Sequence, residues 1–81
     1  MNKERFVGVS VACKLIGISR ERLYSWEKLG IIIPKYEQDK FRKVRKYSEE
    51  EIRWAIMARQ LIENEGCSLK IVAQKIREAR K

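Results

Sequence analysis

A glycine at position 17 separates two short helical patterns near the start of this chain. After it, Ser19 is placed to cap a helix over residues 19–28, because its hydroxyl can accept a hydrogen bond from a free amide of the first turn. Two helices joined through so short a break must cross steeply, which predicts a helix-turn-helix. Before the glycine, apolar residues recur at three- and four-residue intervals and predict the first helix, with an inward face made by Val9, Ala12, Cys13 and Ile16.

The second helix has an apolar side and a polar side. Leu23 and Trp26 form an apolar stripe that would lock it onto the first helix, and Ile18 lies at staple spacing before Leu23. Gly30 supplies a left-handed stop. The start of this helix is thus left free to enter a DNA major groove. Any helical hairpin could hold the same residues, so this pattern alone leaves DNA binding open. The polar side carries Arg20, Glu21, Tyr24 and Ser25.

A β-hairpin is predicted next. The β-branched run at residues 31–33 is stopped by Pro34, and residues 44–47 are its expected partner across a polar loop. Tyr47 before the following helix and Phe41 in the loop are expected to cover the small core rather than to stack on bases.

Two further capped helices complete the chain. Ser48 and Glu51 form a capping box for a third helix, which ends near Glu65. This helix has more apolar residues than one stripe requires, so it packs on two sides or meets a partner. Ser68 caps a fourth helix. The prediction is one domain over residues 1–81, mainly α, with about four helices and a two-stranded wing. The apolar contacts of the fourth helix are expected to be Ile71, Val72 and Ile76.

The net charge indicates the kind of partner. The chain has 19 Lys and Arg against 11 Asp and Glu, a formal charge of +8, and residues 20–47 hold nine basic and four acidic residues. Such an excess favours a polyanion, although a charged face also serves solubility or a membrane surface. No apolar run is long enough to span a bilayer, and the N-terminus lacks the apolar core of a signal peptide, so we expect a cytoplasmic protein.

Catalysis and metal binding are not indicated. The 81 residues include no histidine, and the two cysteines, Cys13 and Cys67, lie in apolar helical patterns. We therefore expect core thiols rather than a disulfide or a zinc site. No phosphate loop and no pair of nucleophile and base can be assembled, so the chain is predicted not to be an enzyme and to need no cofactor.

The order of helix, turn, helix, hairpin and two capped helices resembles the MerR family of bacterial transcription regulators. The motifs that carry the resemblance are GIS at residues 17–19, RLYSWEKLGII at 22–32, Pro34, RKYSEEEI at 45–52 and GCSL at 66–69. The resemblance implies a winged helix-turn-helix that binds double-stranded DNA. Residues 19–28 would be its recognition helix, and the basic hairpin between Pro34 and Tyr47 its wing, with Arg45 touching the DNA backbone.

Two departures from the family pattern limit what the resemblance implies. Tyr24 and Ser25 stand where the family usually has an arginine and a tyrosine, and the family's wing loop is commonly shorter and carries a glycine. The target DNA sequence is therefore not implied. Family members also continue into a long helix that pairs with its twin, followed by an effector domain. Because one module contacts few base pairs, tight specific binding would need a homodimer, self-association on DNA or another subunit.

Chemistry suggests roles for individual side chains. Arg20 is the main candidate for base readout, since an arginine can bond a guanine edge through two hydrogen bonds, but it could equally pair with a nearby acid. Tyr24 could bond a phosphate or pack on a thymine methyl. Lys43 and Arg45 share one face of a strand and are expected to neutralise phosphates. The predicted DNA-binding residues are Ser19, Arg20, Arg22, Tyr24, Ser25, Lys43, Arg45 and Lys46.

Two other functions remain open. The first is an excisionase-like or architectural factor, in which several copies line up along DNA and bend it. The second is a protein-interaction module that docks through Trp54, Met57 and Leu61 of the third helix.

Overall fold

The computed structural model describes residues 5–80, apart from the Asp39 side chain; residues 1–4 and Lys81, which belong to the predicted domain, lie outside this range. The predicted fold, mainly helical with four helices and a hairpin wing, is confirmed within it. The elements are β1 (Phe6–Val7), α1 (Val9–Ile16), α2 (Arg20–Lys28), β2 (Lys35–Asp39), β3 (Arg42–Ser48), α3 (Glu49–Glu65) and α4 (Leu69–Arg80). The sheet has three strands rather than two, because β1 pairs with β3 on the side away from β2, in the order β1-β3-β2.

The turn between α1 and α2 has the chemistry that its residues predict. Gly17 ends α1 with φ of 83°, a left-handed conformation that favours glycine. The Ser19 hydroxyl accepts from the backbone amide of Arg22 at 3.2 Å and caps α2. Arg59 of α3 donates from Nη1 to the Ile16 carbonyl at 2.9 Å, so the end of α1 is also tied to α3. The predicted helix-turn-helix is confirmed.

The predicted pairing of residues 31–33 with β3 is wrong. β2 begins after Pro34, and its register sets Lys35 opposite Lys46 and Tyr36 opposite Arg45. The backbone amides of this isoleucine run, residues 31–33, bind other groups. The Ile31 amide donates to the Trp26 carbonyl at the end of α2 at 3.0 Å, and the Ile33 amide donates to the Glu51 carboxylate at 2.9 Å. With these groups committed, the run cannot join a ladder. Ile31 and Ile32 instead fill the core, where both are fully buried.

The core lies between the helix-turn-helix, the isoleucine run and the last two helices. In α4 the buried stripe falls on Val72, Ala73 and Ile76, while Ile71 is exposed, so one of the three contacts predicted for this helix is wrong. Tyr47 is fully buried, as predicted. The buried side chains are Ala12, Ile16, Ile18, Leu23, Trp26, Ile31, Ile32, Tyr47, Ile52, Ala55, Ala58, Val72, Ala73 and Ile76.

The third helix packs on two sides. It contacts both α1 and α4, which accounts for its many apolar residues. Its cap uses half of the predicted box: Ser48 accepts from the Glu51 amide at 3.2 Å, but the Glu51 carboxylate binds Arg80 of α4 instead of returning to the cap. No helix within residues 5–80 is long and apolar enough to cross a membrane.

The outer side of α3 offers little for docking. Of the residues predicted to form a docking surface, Trp54 is half-buried with the Arg80 guanidinium over its ring at 5.3 Å, and Leu61 packs against the core. Only Met57 of that set is exposed. The structure therefore does not favour a protein-interaction module built on these three side chains.

Candidate nucleic-acid interface

An open concavity of about 490 Å³ lies between α2 and the wing, the hairpin of β2 and β3. Its walls are the start of α1, the exposed side of α2 and the first four residues of β3. Among the described residues that line it, four are cations and none is acidic, so the concavity favours a polyanion. The residues that line it are Gly8, Val9, Ser10, Val11, Arg20, Tyr24, Arg42, Lys43, Val44 and Arg45.

Arg20 stands at the start of α2, on the wall of the concavity. Its Nη2 donates to the Ser10 hydroxyl of α1 at 2.8 Å, so its partner is a neutral hydroxyl rather than the acid considered from the sequence. A guanidinium has five N–H donors in a planar fork, and this bond uses one of them. The side chain is thus oriented by α1 and retains the chemistry needed to bond a base edge.

Arg45 is held between α2 and the wing. Its guanidinium carbon lies 4.6 Å from the centre of the Tyr24 ring and 5.7 Å from that of Tyr36, both within the range of cation–π attraction. Its Nε lies 3.4 Å from a Glu27 carboxylate oxygen, which is an ion pair without an aligned hydrogen bond. The Arg45 side chain is 39% exposed and that of Glu27 only 10%. Arg45 therefore joins two elements and still faces solvent with part of its surface.

Glu27 has a second partner in the core. The buried Tyr47 hydroxyl donates to its other carboxylate oxygen at 2.5 Å. Burial raises the pKa of the Tyr47 phenol far above its usual range, and the neighbouring Glu27 charge raises it further, since both disfavour a phenolate. The five side chains Tyr24, Glu27, Tyr36, Arg45 and Tyr47 form one group, named here the aromatic–arginine cluster. It fixes the wing against α2.

Sequence reasoning missed Glu27 and Tyr36 as members of this cluster. Glu27 had a local signal, because it follows Tyr24 by three residues on a helix and so lies on the same side. Tyr36 had none, since its place opposite Arg45 depends on the register of the hairpin.

The two faces of the wing carry different sets of the predicted residues. Strand alternation places Lys43 and Arg45 on the face toward α2, and places Lys46 on the far face with Glu37. Arg42 borders both. The structure therefore brings Lys43 and Arg45 together with Arg20 and Tyr24, and separates Lys46 from them.

The other predicted residues of α2 lie beside the concavity. Ser19 is exposed and its hydroxyl caps the helix, so it contributes first to helix formation. Arg22 and Ser25 are exposed on the same helix and are not among the residues that line the concavity.

The expected role of Phe41 is wrong. Its side chain is 96% exposed, in the two-residue turn at the end of the wing, and cannot cover the core. The hairpin is longer than the sequence pairing assumed, because β2 starts after Pro34 and pairs out to Asp39 opposite Arg42. The turn therefore projects from the rest of the domain.

The thiols belong to the apolar interior. Cys13 and Cys67 are free and pack against the core, as predicted. Burial raises the pKa of the Cys13 thiol, and the nearby Arg20 charge offsets only part of that rise, so the thiol is protonated at neutral pH. Across residues 5–80, no group of three or more His, Cys, Asp or Glu side chains could hold a metal ion.

The sequence and the fold of this chain are similar to those of known proteins. A family model described as MerR HTH family regulatory protein matches residues 8–79. Among solved structures, the chain is similar to HiNmlR, reported as a MerR family regulator lacking the sensor domain, bound to promoter DNA. The TM-score is 0.70 at 23% identity, covering 93% of this chain and 55% of the other, so this chain spans about half the length of that one. None of the curated proteins matches it. Because the family match covers nearly the whole chain, the resemblance seen in the motifs is confirmed, and the chain belongs to the MerR family of helix-turn-helix, DNA-binding transcription regulators.

Proposed function

We propose that this chain binds double-stranded DNA with α2 in the major groove and the wing along the phosphate backbone. The observation that carries the proposal is the concavity between them, where Arg20, Lys43 and Arg45 converge and where no residue of the described lining is acidic. Lysine and arginine side chains in such a place neutralise phosphates and release counterions. HiNmlR, which has a similar fold, is reported bound to promoter DNA, and this supports DNA as the ligand.

The side chains of the concavity take separate roles in this proposal. Arg20 bonds a base edge, and Tyr24 contacts a phosphate or a thymine methyl. Lys43 neutralises a phosphate, and the exposed part of Arg45 contacts the backbone while its remainder holds the wing in place. The residues of α2 outside the concavity, Ser19, Arg22 and Ser25, contact the flanking backbone. Lys46, on the far face, contributes least.

The proposal is tested by binding of the purified chain to mixed-sequence duplex DNA at two salt concentrations. We expect the affinity to fall steeply with salt. Lys43→Ala should reduce the slope of log affinity against log salt by about one, because one phosphate contact is lost. Lys75→Ala removes an exposed lysine from α4, outside the concavity, and serves as the matched control. Binding that does not respond to salt would refute the proposal.

Base readout and backbone contact are separated by two further variants. Arg20→Ala should reduce the preference for a selected site over mixed-sequence DNA. If it lowers the affinity for every duplex by the same factor, Arg20 is a phosphate contact instead. Arg45→Ala should weaken binding to specific and unrelated duplexes alike and flatten the salt dependence; a slope equal to that of the parent would contradict its contact with the backbone.

We further propose that two copies of the chain act together on DNA, at half-sites about one helical turn apart, since one module contacts few base pairs. Analytical ultracentrifugation of the complex should give two chains per site. A stoichiometry of many copies along the duplex would instead support the architectural alternative. The expected cytoplasmic location stays a prediction.

A further inference from the structure

The turn of the wing exposes a large aromatic side chain to solvent. Phe41 is 96% exposed, whereas the next most exposed large apolar side chain in the described range, Leu15, reaches 55%. Burial of an apolar ring is favourable, and the described part of the chain leaves almost all of this ring in water. The side chain is therefore available to a partner.

The surroundings of Phe41 indicate which partner. The six residues at positions 38–43 read Gln-Asp-Lys-Phe-Arg-Lys, so the ring is the single apolar group of the turn and is surrounded mainly by cations. A lipid surface or a protein groove takes a larger apolar area than one ring provides. A lone apolar side chain on a cationic support fits the minor groove of DNA, where such side chains enter between base pairs beside the phosphates.

The length of the wing allows this contact. Arg45 lies beside Tyr24 of α2, and Phe41 precedes Arg45 by four residues, in the turn just before β3, about 13 Å away at roughly 3.3 Å per residue. The adjacent minor groove is half a helical turn, roughly 17 Å, from the centre of the major groove. The phenyl ring extends beyond its own backbone and covers the difference. With α2 in the major groove, the turn of the wing thus reaches the neighbouring minor groove.

We propose that Phe41 enters this minor groove and wedges between two base pairs, which unstacks them in part and kinks the duplex. The inference rests on the proposed DNA binding and deepens it. It places the turn of the wing in a second groove, and it assigns the distortion of the DNA to Phe41, a side chain without charge. A flexible pyrimidine–purine step such as TA is the preferred place for the wedge, since such a step unstacks at the least cost.

The test uses the full chain and a mixed-sequence duplex in which 2-aminopurine replaces adenine at TA steps. Unstacking raises the fluorescence of this base, and we expect about a twofold rise with the parent chain. Phe41→Ala should abolish the rise and weaken binding by about tenfold. It should leave the salt slope unchanged, because no charge is removed. Phe41→Leu should retain most of the rise, since leucine also acts as a wedge. Met57→Ala, another exposed apolar residue, is the matched control and should behave as the parent does.

The outcomes separate this inference from the proposed function. Salt-dependent binding with no fluorescence rise, or with a rise that survives in Phe41→Ala, would overturn the wedge and leave the proposed DNA binding standing. Loss of binding to phosphatidylglycerol vesicles in Phe41→Ala, with DNA binding and fluorescence unaffected, would assign the ring to a membrane and overturn the wedge. Absence of DNA binding by the parent chain would overturn both.

Discussion

Replacing Tyr47 by phenylalanine removes one oxygen from a fully buried side chain and tests the contact that fixes the wing to α2. The hydroxyl donates to Glu27 at 2.5 Å, and the Glu27 side chain is only 10% exposed. Without this donor, the carboxylate keeps Arg45 at 3.4 Å, in an ion pair without an aligned hydrogen bond. Hydrogen bonds to charged groups contribute about 1.5–3 kcal/mol, so Tyr47→Phe should lower the free energy of unfolding by about 2 kcal/mol.

The loss is measured by urea unfolding followed by circular dichroism. For a domain of this size, about 2 kcal/mol corresponds to a fall in Tm of roughly 8–16 °C, and the dependence of the free energy on urea should not change. Tyr36→Phe removes a hydroxyl that interacts with Arg45 from a side chain that is exposed, and it keeps the ring, so it should lose clearly less than Tyr47→Phe.

A double-mutant cycle with Glu27→Gln then isolates the pair. The combined variant should lose less than the sum of the two single losses, because both remove the same interaction. A loss below about 0.5 kcal/mol for Tyr47→Phe, or strict additivity in the cycle, would refute the reasoning that the buried carboxylate depends on this hydroxyl.

Three further predictions concern stability. Because the folded state raises the pKa of Tyr47, the stability that the neutral phenol contributes is complete below the unfolded pKa of about 10 and is lost as the pH rises beyond it. Between about pH 9 and about pH 11, the urea midpoint should therefore fall more for the parent than for Tyr47→Phe. Equal falls for the two proteins would contradict this prediction. Gly17→Ala places a methyl group on a left-handed residue and against the Arg59 guanidinium. In urea unfolding it should lower the free energy of unfolding by more than Gly66→Ala, for which we expect roughly 1–2 kcal/mol because the space there is open. Equal losses for the two variants would argue against the collision with Arg59. Arg80→Ala removes the tie from α4 to α3 and to the isoleucine run and should cost about 2–3 kcal/mol by the same assay, with Lys75→Ala on the same helix near zero; similar values for the two would show that the tie contributes little.

The sequence predicted those parts of the fold that depend on neighbouring residues. A cap is set by one hydroxyl and the next three amides, and the hydroxyls of Ser19, Ser48 and Ser68 all accept as expected. The left-handed stop predicted at Gly30 depends equally on local backbone sterics, and Gly30 has a φ of 81°.

The errors arose where distant groups decide the structure. The isoleucine run has strong β propensity, but its backbone is bound by Glu51 from α3 and by Arg80 from the end of α4. Neither partner lies close in sequence, so periodicity could not reveal them. The wrong expectation for Phe41 has the same origin. Because β2 begins after Pro34 and extends to Asp39, the turn that holds Phe41 lies at the far end of the hairpin.

The candidate site was predicted in its composition and only partly in its geometry. Arg20, Tyr24 and Arg45 were selected from residue chemistry and from the family motifs, and the structure brings them to one surface. The pairing of Arg45 with Glu27 depends on how the hairpin docks on α2, which no local pattern encodes, whereas the separation of Lys46 from Arg45 follows from strand alternation.

The position of Arg45 between Tyr24 and Tyr36 has a consequence for how such a regulator evolves. If α2 contacts bases through Tyr24 as proposed, a substitution there that changes the target would also remove one of the two rings that hold Arg45, and the wing would shift. The target sequence and the placement of the wing are therefore not independent traits. A lineage that acquires a new target through this position would need a second change at Tyr36 or Glu27, so these three positions should covary among relatives.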